Sequence, residues 1–338
     1  MPQMDSLPAA RVSVVIVNWN GQRFLQDCLS AVLAQSYADY EIILVDNGSD
    51  DGSADWVAEQ FPMVRLIRNP VNLGFAAGNN QAICASRSEF IATLNNDTRV
   101  EPNWLTELVR VMESDPTIGA CASKMLFADR PQMINSTGIC IDRVGIAWDR
   151  RGGEPDTNVE TEPLEVFGAC AGAALYRRAM FEQIGLFDTD FFMYFEDVDL
   201  AWRARLAGWR CLYVPTARVC HHHSASSVEG SAFKDFYASR NKVWLLIKNY
   251  PFPVGLFYLP LVVLYDLSTL SLRQVLRGNW NNLHGRWCAL QHWRVAWRKR
   301  CSVAGPMHPS RWPDFMSPVT SPWRVSARVA HVAERMAR

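Results

Sequence analysis

Apolar and polar positions along the first hundred residues follow two alternating periods. VSVVIVNWNG, residues 12–21, is a β-branched run stopped by Asn and Gly, which predicts a buried parallel strand ending in a loop. In QRFLQDCLSAVLAQS the apolar residues Phe24, Leu25, Cys28, Leu29, Val32 and Leu33 recur at helical spacing. EIILVDNGSDDGS repeats the strand and polar loop, SADWVAEQF gives a second helix, VRLIRNP a third strand and FIATLNNDT a fourth. Strand, helix, strand at this pitch predicts an α/β fold, a mainly parallel central sheet with helices on both faces, whose ligands gather at the carboxyl ends of the strands.

Beyond this the pattern loosens. Residues 119–165 carry turn-prone material (CIDRVGIAWDRRGGEPD) and read as a meander and a mobile loop. GACAGAALYRR predicts another core strand, and WRCLYVPTARVCHHHSASS reads as a strand, a break at Pro215 and a second short strand ending at His221, His222 and His223. FPVGLFYLPLVVLYDLSTLSL, residues 252–272, has the length of a membrane crossing and one charge, Asp266, but also contains Pro253, Gly255 and Pro260. The flank after it is rich in Trp and Arg (Arg273, Arg277, Trp280, Arg286, Trp287, Trp293, Arg294, Trp297, Arg298, Lys299, Arg300), the composition of an element that meets anionic lipid headgroups. Whether the segment spans or lies flat stays open. The expected organisation is a disordered stretch over 1–10, a catalytic domain over 11–250 and a helical, membrane-associated region over 251–338.

Composition sharpens the division. The 338 residues have zero formal net charge, yet residues 1–199 hold 14 Lys or Arg against 29 Asp or Glu, and the remainder 20 against 5. An acidic front suits cation handling, and a basic back suits an anionic surface. Nine cysteines without a C-x-x-C pair point to thiols in a reducing compartment rather than a disulfide framework. MPQMDSLPAAR lacks the apolar core of a signal peptide, so a cytoplasmic location is expected, peripheral to or anchored in the inner face of the cell membrane.

The first strand is followed by NWNGQ, not by G-x-G-x-x-G or a Gly-rich lysine loop, which argues against a nicotinamide dehydrogenase or an ATPase. Amides and acids stand at the strand ends instead: Asn18 and Asn20, Asp46 and Asn47, Asn72 and Gly74, then Asn95, Asn96 and Asp97. Such side chains suit the imide of a pyrimidine ring and ribose hydroxyls. A second cluster lies in FFMYFEDVDLAWR, residues 191–203, where Glu196, Asp197 and Asp199 stand directly behind aromatic side chains. Carboxylates beside apolar surface lose solvation and repel one another, so a catalytic or metal-binding use competes with the ordinary one, acids at a helix start with an Asp199–Arg203 pair one turn apart.

VSVVIVNWNG, VDNGSDDGS, NLGFAAGNN, LNNDT and FEDVDLAWR, in this order, resemble the family 2 inverting glycosyltransferases of the GT-A (nucleotide-diphospho-sugar transferase) fold, in particular the bacterial rhamnosyltransferase-like branch that builds cell-surface polysaccharide. The resemblance covers roughly residues 11–250. It implies that Asn18, Asn20, Asp46, Asn72, Gly74, Gly78, Asn96 and Asp97 bind the donor, with Asp46 at the pyrimidine and the loop from Asn72 to Gly78 touching nucleotide and sugar. Asp97 matches the last acid of the family's D-x-D metal motif, while Asn95 stands where the first Asp belongs. The implied cofactor is Mg or Mn, held by Asp97 and, as in some relatives, by His221; oxygen-rich sites suit either ion. Asp197 is implied as the single base that an inverting displacement needs, with Glu196 beside it. The implied donor is a dTDP- or UDP-sugar, dTDP-L-rhamnose foremost, and the acceptor a polyprenyl-diphosphate-linked glycan or polysaccharide. No nucleic acid is expected as a partner, and homo-oligomerisation stays open.

Two other classes remain alongside. A catalytically silent nucleotide-sugar-binding assembly subunit is encouraged by Asn95. A sugar nucleotidyltransferase would carry a Gly-rich, Arg-containing loop after its first strand, which NWNGQ does not supply.

Overall fold

The computed structural model describes residues 9–157, 159–222, 231–251, 254–269, 280–300 and 315–320. His223, Arg273 and Arg277 lie outside the described residues, as do the first eight.

The predicted alternation forms. β1 (Val12–Asn18), β2 (Tyr40–Asp46), β3 (Arg65–Arg68) and β4 (Phe90–Asn95) run parallel in the order β3-β2-β1-β4. They are linked by α1 (Gln22–Leu33), α2 (Ser53–Gln60) and α3 (Gly74–Ala85). Alternate residues of each strand enter different cores. Val14, Ile16, Ile42, Leu44 and Ala92 pack with Leu25, Leu29 and Val32 of α1 on one face. Val15, Ile43, Val45 and Ile91 pack with Ala76, Ala82 and Ile83 of α3 on the other. Each fully buried Val, Leu or Ile contributes roughly 1.5–3 kcal/mol, so continuous β-branched strands suffice to fix these layers.

Past β4 the sheet becomes mixed. The short β5 (Thr98–Val100) and α4 (Trp104–Glu113) lead into β6 (Ile118–Phe127), a ten-residue strand buried along its whole length. This corrects the reading of 119–165 as meander and loop: IGACASKMLF is buried on both sides, so small residues replace the alternation by which a strand is recognised. β7 (Ile134–Ser136) pairs with β6, and β8 (Ile139–Ile141) pairs with β9 (Ala147–Asp149) as a separate ribbon. β10 (Leu164–Glu165) lies at the far edge. β11 (Ala173–Arg177) inserts antiparallel between β4 and β6, so its first residue stands opposite Leu94, near the carboxyl end of β4. Only this part of GACAGAALYRR is strand. Its irregular beginning delivers backbone to the site.

After α5 (Arg178–Ile184), a turn over Thr189–Phe191 and α6 (Glu196–Leu206), the chain enters β12 (Arg210–His221). This is one strand, not two. Pro215 falls where the register against β6 shifts between Val214 and Arg218, a bulge that absorbs the missing amide without ending the strand. The NLGFAAG stretch also differs from its reading as a loop, since Gly74 to Gly78 form the first turn of α3.

α7 (Ala232–Asn249) and α8 (Val254–Thr269) come next, then α9 (Asn281–Gln291) and α10 (Trp293–Arg298). Trp244 and Leu245 of α7, Ala289 of α9 and Ala296 of α10 share a third core with Val198 and Trp202 of α6. α8 contains Pro260, and among the described residues no helix is long and apolar enough to cross a membrane.

Candidate functional site

The strand-end amides interlock. Asn18, fully buried at the end of β1, donates from Nδ2 to Asp46 Oδ1 (2.9 Å), Ser53 Oγ (2.8 Å) and Ser49 Oγ (3.2 Å), and its Oδ1 accepts from Asn96 Nδ2 (2.7 Å). A Cβ on Gly21 would collide with Asn96 Nδ2, so glycine there lets the loops after β1 and β4 touch. Asp46 is buried and accepts from the Ser49 amide (3.0 Å) and hydroxyl (2.6 Å) as well. Its carboxylate organises the turn after β2. Asn20 holds the same turn: it adopts a φ of 50°, accepts the Asp50 amide (2.9 Å) and donates its own amide to Ser49 Oγ (2.9 Å).

Asn47 donates to the Gly74 carbonyl (3.0 Å), and Asn72 Oδ1 accepts the Gly74 amide (2.8 Å). Gly74 has a φ of 86°, and a Cβ there would meet the Phe192 ring and carbonyl at 2.6 Å. Gly78 lies against Val17 of β1, which brings the amide end of α3 down onto the sheet.

Asp97 and His221 meet across β5 and β12, where Thr98 pairs with His221. His221 Nδ1 lies 2.8 Å from Asn135 Oδ1, which can only accept, so Nδ1 carries the proton and Nε2, when the ring is neutral, accepts from Asn95 Nδ2 (3.3 Å). That nitrogen lies 3.2 Å from Asp97 Oδ1, a buried oxygen with no hydrogen-bond partner. Two facing acceptors repel unless the ring gains a proton or a cation sits between them. Burial raises the Asp97 pKa, but the His221 contact and charge outweigh it and hold the carboxyl below its ordinary value. An orphaned carboxylate oxygen aimed at an oriented imidazole fits a divalent cation. Among the described residues no third His, Cys, Asp or Glu joins them, so a ligand's own oxygens would complete the shell.

Asp197, in the first turn of α6, accepts from the Ala171 amide (3.3 Å) and from the Val198 amide (2.8 Å). It keeps part of its surface open while protein packs densely around it. Burial lifts its pKa to about 6 against the pull of the Ala171 amide, and the Asp149 charge adds to the lift. Glu196 is buried with Oε2 unpartnered, and burial, then the Asp197 and Asp199 charges, push it well above the usual range. Burial and like charge therefore raise both neighbours, and Glu196, the more deeply buried, is held well above the ordinary carboxyl range.

The two clusters sit on one sheet edge. Asn95 donates its amide to the Gly172 carbonyl (2.8 Å), and the adjoining Ala171 amide reaches Asp197. β4 thus leads into Asp97 and, through the Gly172 carbonyl, also touches the segment before β11 whose Ala171 amide reaches Asp197. Asp199 is fully buried and serves the fold: it pairs with Arg203 Nε (2.9 Å), as its spacing predicted, and also with Lys248 Nζ (2.9 Å) and Asn249 Nδ2 (2.7 Å). His222 rests its ring on Phe24, 5.2 Å between centroids. Sequence reasoning missed Asn135, which orients His221, and Asn241 and Lys248 of α7. The available signal was the seven-residue spacing that puts those last two polar residues on one face of the helix, in line with the apolar Trp244 and Leu245.

The family model described as "Glycosyl transferase family 2" matches residues 13–185. An N-acetylglucosaminyl-diphospho-decaprenol L-rhamnosyltransferase of Mycobacterium tuberculosis is 28% identical over 240 residues, 63% of this chain and 76% of that protein. An O-antigen biosynthesis protein of Myxococcus xanthus, RfbC, is 30% identical over 231 residues, 64% of this chain but 18% of that protein. An uncharacterized protein of Sinorhizobium fredii, y4gI, is 28% identical over 227 residues, 64% of this chain, and the match spans a quarter (25%) of its length. In three dimensions the chain is similar to GalNAc-T7 with UDP, GalNAc and Mn2+ (TM-score 0.61, 19% identity, 77% of this chain and 51% of that one). It is also similar to the mannosyltransferase PcManGT of Pyrobaculum calidifontis in complex with GDP-Man and Mn2+ (TM-score 0.53, 18% identity, 99% and 90%).

Proposed function

Because the chain belongs to glycosyl transferase family 2, we propose that it is an inverting enzyme moving L-rhamnose from dTDP-L-rhamnose onto a lipid-linked or polysaccharide acceptor in cell-surface glycan biosynthesis. Glycosyl transfer is the reaction of the family; the sugar, the acceptor and the residue roles are the proposal. Asp197 takes the proton of the acceptor hydroxyl as its oxygen bonds the anomeric carbon, and the nucleoside diphosphate leaves from the opposite face. Asn18, Asn20, Asp46, Asn72, Gly74, Gly78 and Asn96 form the donor cradle. Asp97 and His221 would hold Mg or Mn, which neutralises charge on the departing diphosphate.

One observation carries this reading: the backbone link from Asn95 through Gly172 and Ala171 to Asp197, which sets an ionised carboxylate beside the candidate cation site. The name of the mycobacterial relative supports rhamnose and a polyprenyl-diphosphate acceptor. Residues 11–250 form the catalytic part. The region from 251 onward associates with the cytoplasmic face of the membrane, a reading supported by the exposed Leu256, Phe257, Leu259, Leu264 and Leu267 of α8 and Trp287, Trp293 and Trp297 nearby in sequence.

The test is nucleoside diphosphate release from a panel of dTDP-, UDP- and GDP-sugars with acceptor, with and without Mn or Mg. Release from dTDP-rhamnose that depends on metal and acceptor is the expected result. Consumption of a nucleoside triphosphate would mark a nucleotidyltransferase, and tight sugar-nucleotide binding without release a silent subunit.

A further inference from the structure

The turn that leads into α6 is held in a costly conformation in which one buried side-chain amide takes three carbonyls. Phe192, Tyr194 and Phe195 adopt φ values of 65°, 68° and 70°, a left-handed region that aromatic residues avoid at roughly 1–3 kcal/mol each. Phe195 is the residue on which α6 begins, so this backbone sets the direction in which Asp197 leaves the helix start.

The carbonyls of this turn are taken one by one. Asn241 of α7, fully buried, donates from Nδ2 to Phe191 O (2.9 Å), Met193 O (2.9 Å) and Tyr194 O (2.8 Å); two hydrogens serve three acceptors, so one bond is shared. Arg240 Nη2 donates to Asp190 O (2.8 Å) and Phe191 O (3.0 Å), with its guanidinium over the Tyr237 and Trp244 rings. Phe192 O accepts the Phe75 amide (2.8 Å) at the start of α3, and the Phe192 ring stacks on Tyr237 at 5.3 Å. Phe195 O accepts the Asp199 amide (2.8 Å). The donors on α7 thus supply the carbonyls of Phe191, Met193 and Tyr194 and help to offset the strain of the left-handed residues.

We infer that Asn241, assisted by Arg240, is a positioning residue for transfer: its side-chain amide gathers three carbonyls of the 191–194 turn and so aims Asp197 at the acceptor. The inference rests on Asp197 being the base. It also gives α7, which lies beyond the 13–185 family match, a part in the reaction.

The experiment uses the full chain with its donor and acceptor and compares Asn241→Asp, nearly isosteric but without the donors, and Arg240→Lys with Asp197→Asn and the parent. Four quantities are read: kcat against pH, nucleoside diphosphate affinity by titration calorimetry, hydrogen exchange of the 190–197 amides, and the melting temperature. For Asn241→Asp the expected result is kcat lower by about a hundred-fold, nucleotide affinity within about three-fold, faster exchange in 190–197, and the acid limb of kcat moved downward as water reaches Asp197. Arg240→Lys shows the same pattern more weakly, and carries the test alone if Asn241→Asp does not fold. Unchanged kcat and acid limb in a folded variant overturn the proposal. So does a loss that follows melting temperature alone with the limb in place, because that is a merely structural role. Turnover by Asp197→Asn would instead overturn the base assignment, and it is seen without touching residue 241.

Discussion

Asp197 and Glu196 are adjacent carboxyl groups that their surroundings drive apart. Because the base must be ionised, kcat is expected to rise with pH through an inflection near 6, the value to which burial and Asp149 lift Asp197, and to be lost below it. Asp197→Asn removes proton acceptance and is expected to lower kcat by about a thousand-fold while nucleotide affinity, measured by calorimetry, stays near that of the parent. Glu196→Gln is a different case. Burial and the Asp197 and Asp199 charges favour its neutral form, which Gln mimics, so transfer is expected to stay within about three-fold of the parent, and a larger loss in initial rates would show that Glu196 works as an anion. At this scale the sequence was legible where the chemistry is local. Asp199 and Arg203, four apart on one helix, meet as expected. Asn241 was not legible, because its partners are main-chain carbonyls 47–50 residues upstream, and carbonyls leave no mark in a sequence.

The helix that carries the acid pair is pinned by ions from the next helix. Lys248 of α7 pairs with Asp199 (2.9 Å) and Asp188 (2.7 Å), all three buried, and Arg203 adds its charge. Removing one partner leaves buried charge uncompensated, so Asp199→Asn is expected to cost about 3–5 kcal/mol in denaturant unfolding. Burial would raise Asp188, but Lys248 and Lys299 outweigh it and bring its pKa from the ordinary 3.8 to about 2. A carboxyl whose folded value lies below its unfolded one stabilises fully above the unfolded value, and this contribution, on the order of 2 kcal/mol, drains away as pH falls from about 4 to 2. Acid unfolding midpoints of the parent and Asp188→Asn check it, since the variant lacks that slope. Elements with strong periodicity were legible: β1, β2, β4 and α1 stand where the pattern put them. β6 was not, because burial on both faces erases alternation, and β12 was cut at Pro215 because a bulge and a chain break look alike in sequence.

Across the whole molecule the charge split has a spatial meaning. Basic groups of the second half reach back to the acids of the first, as Lys248 and Lys299 do at Asp188. Others, such as Arg294 and Arg298, remain at the surface with the tryptophans of α9 and α10. Binding to vesicles containing phosphatidylglycerol is expected, weaker at high salt, and Phe257→Ser with Leu264→Ser is expected to reduce co-flotation several-fold while nucleotide affinity is retained; equal flotation of parent and variant would place the contact elsewhere. The parallel strand–helix alternation of the first half of the sheet was legible from the sequence. The packing of α7, α9 and α10 against α6 was not, since the apolar faces of α6 and α7 match only once both helices exist.

α7 grips two things with consecutive residues. Asn241 holds the turn before the acid pair, and Lys242 holds Asp266, the lone acid of the oily α8, at 2.6 Å. Under the proposed membrane contact, a pull on α8 is expected to arrive one peptide unit away from the amide that holds the 191–194 turn.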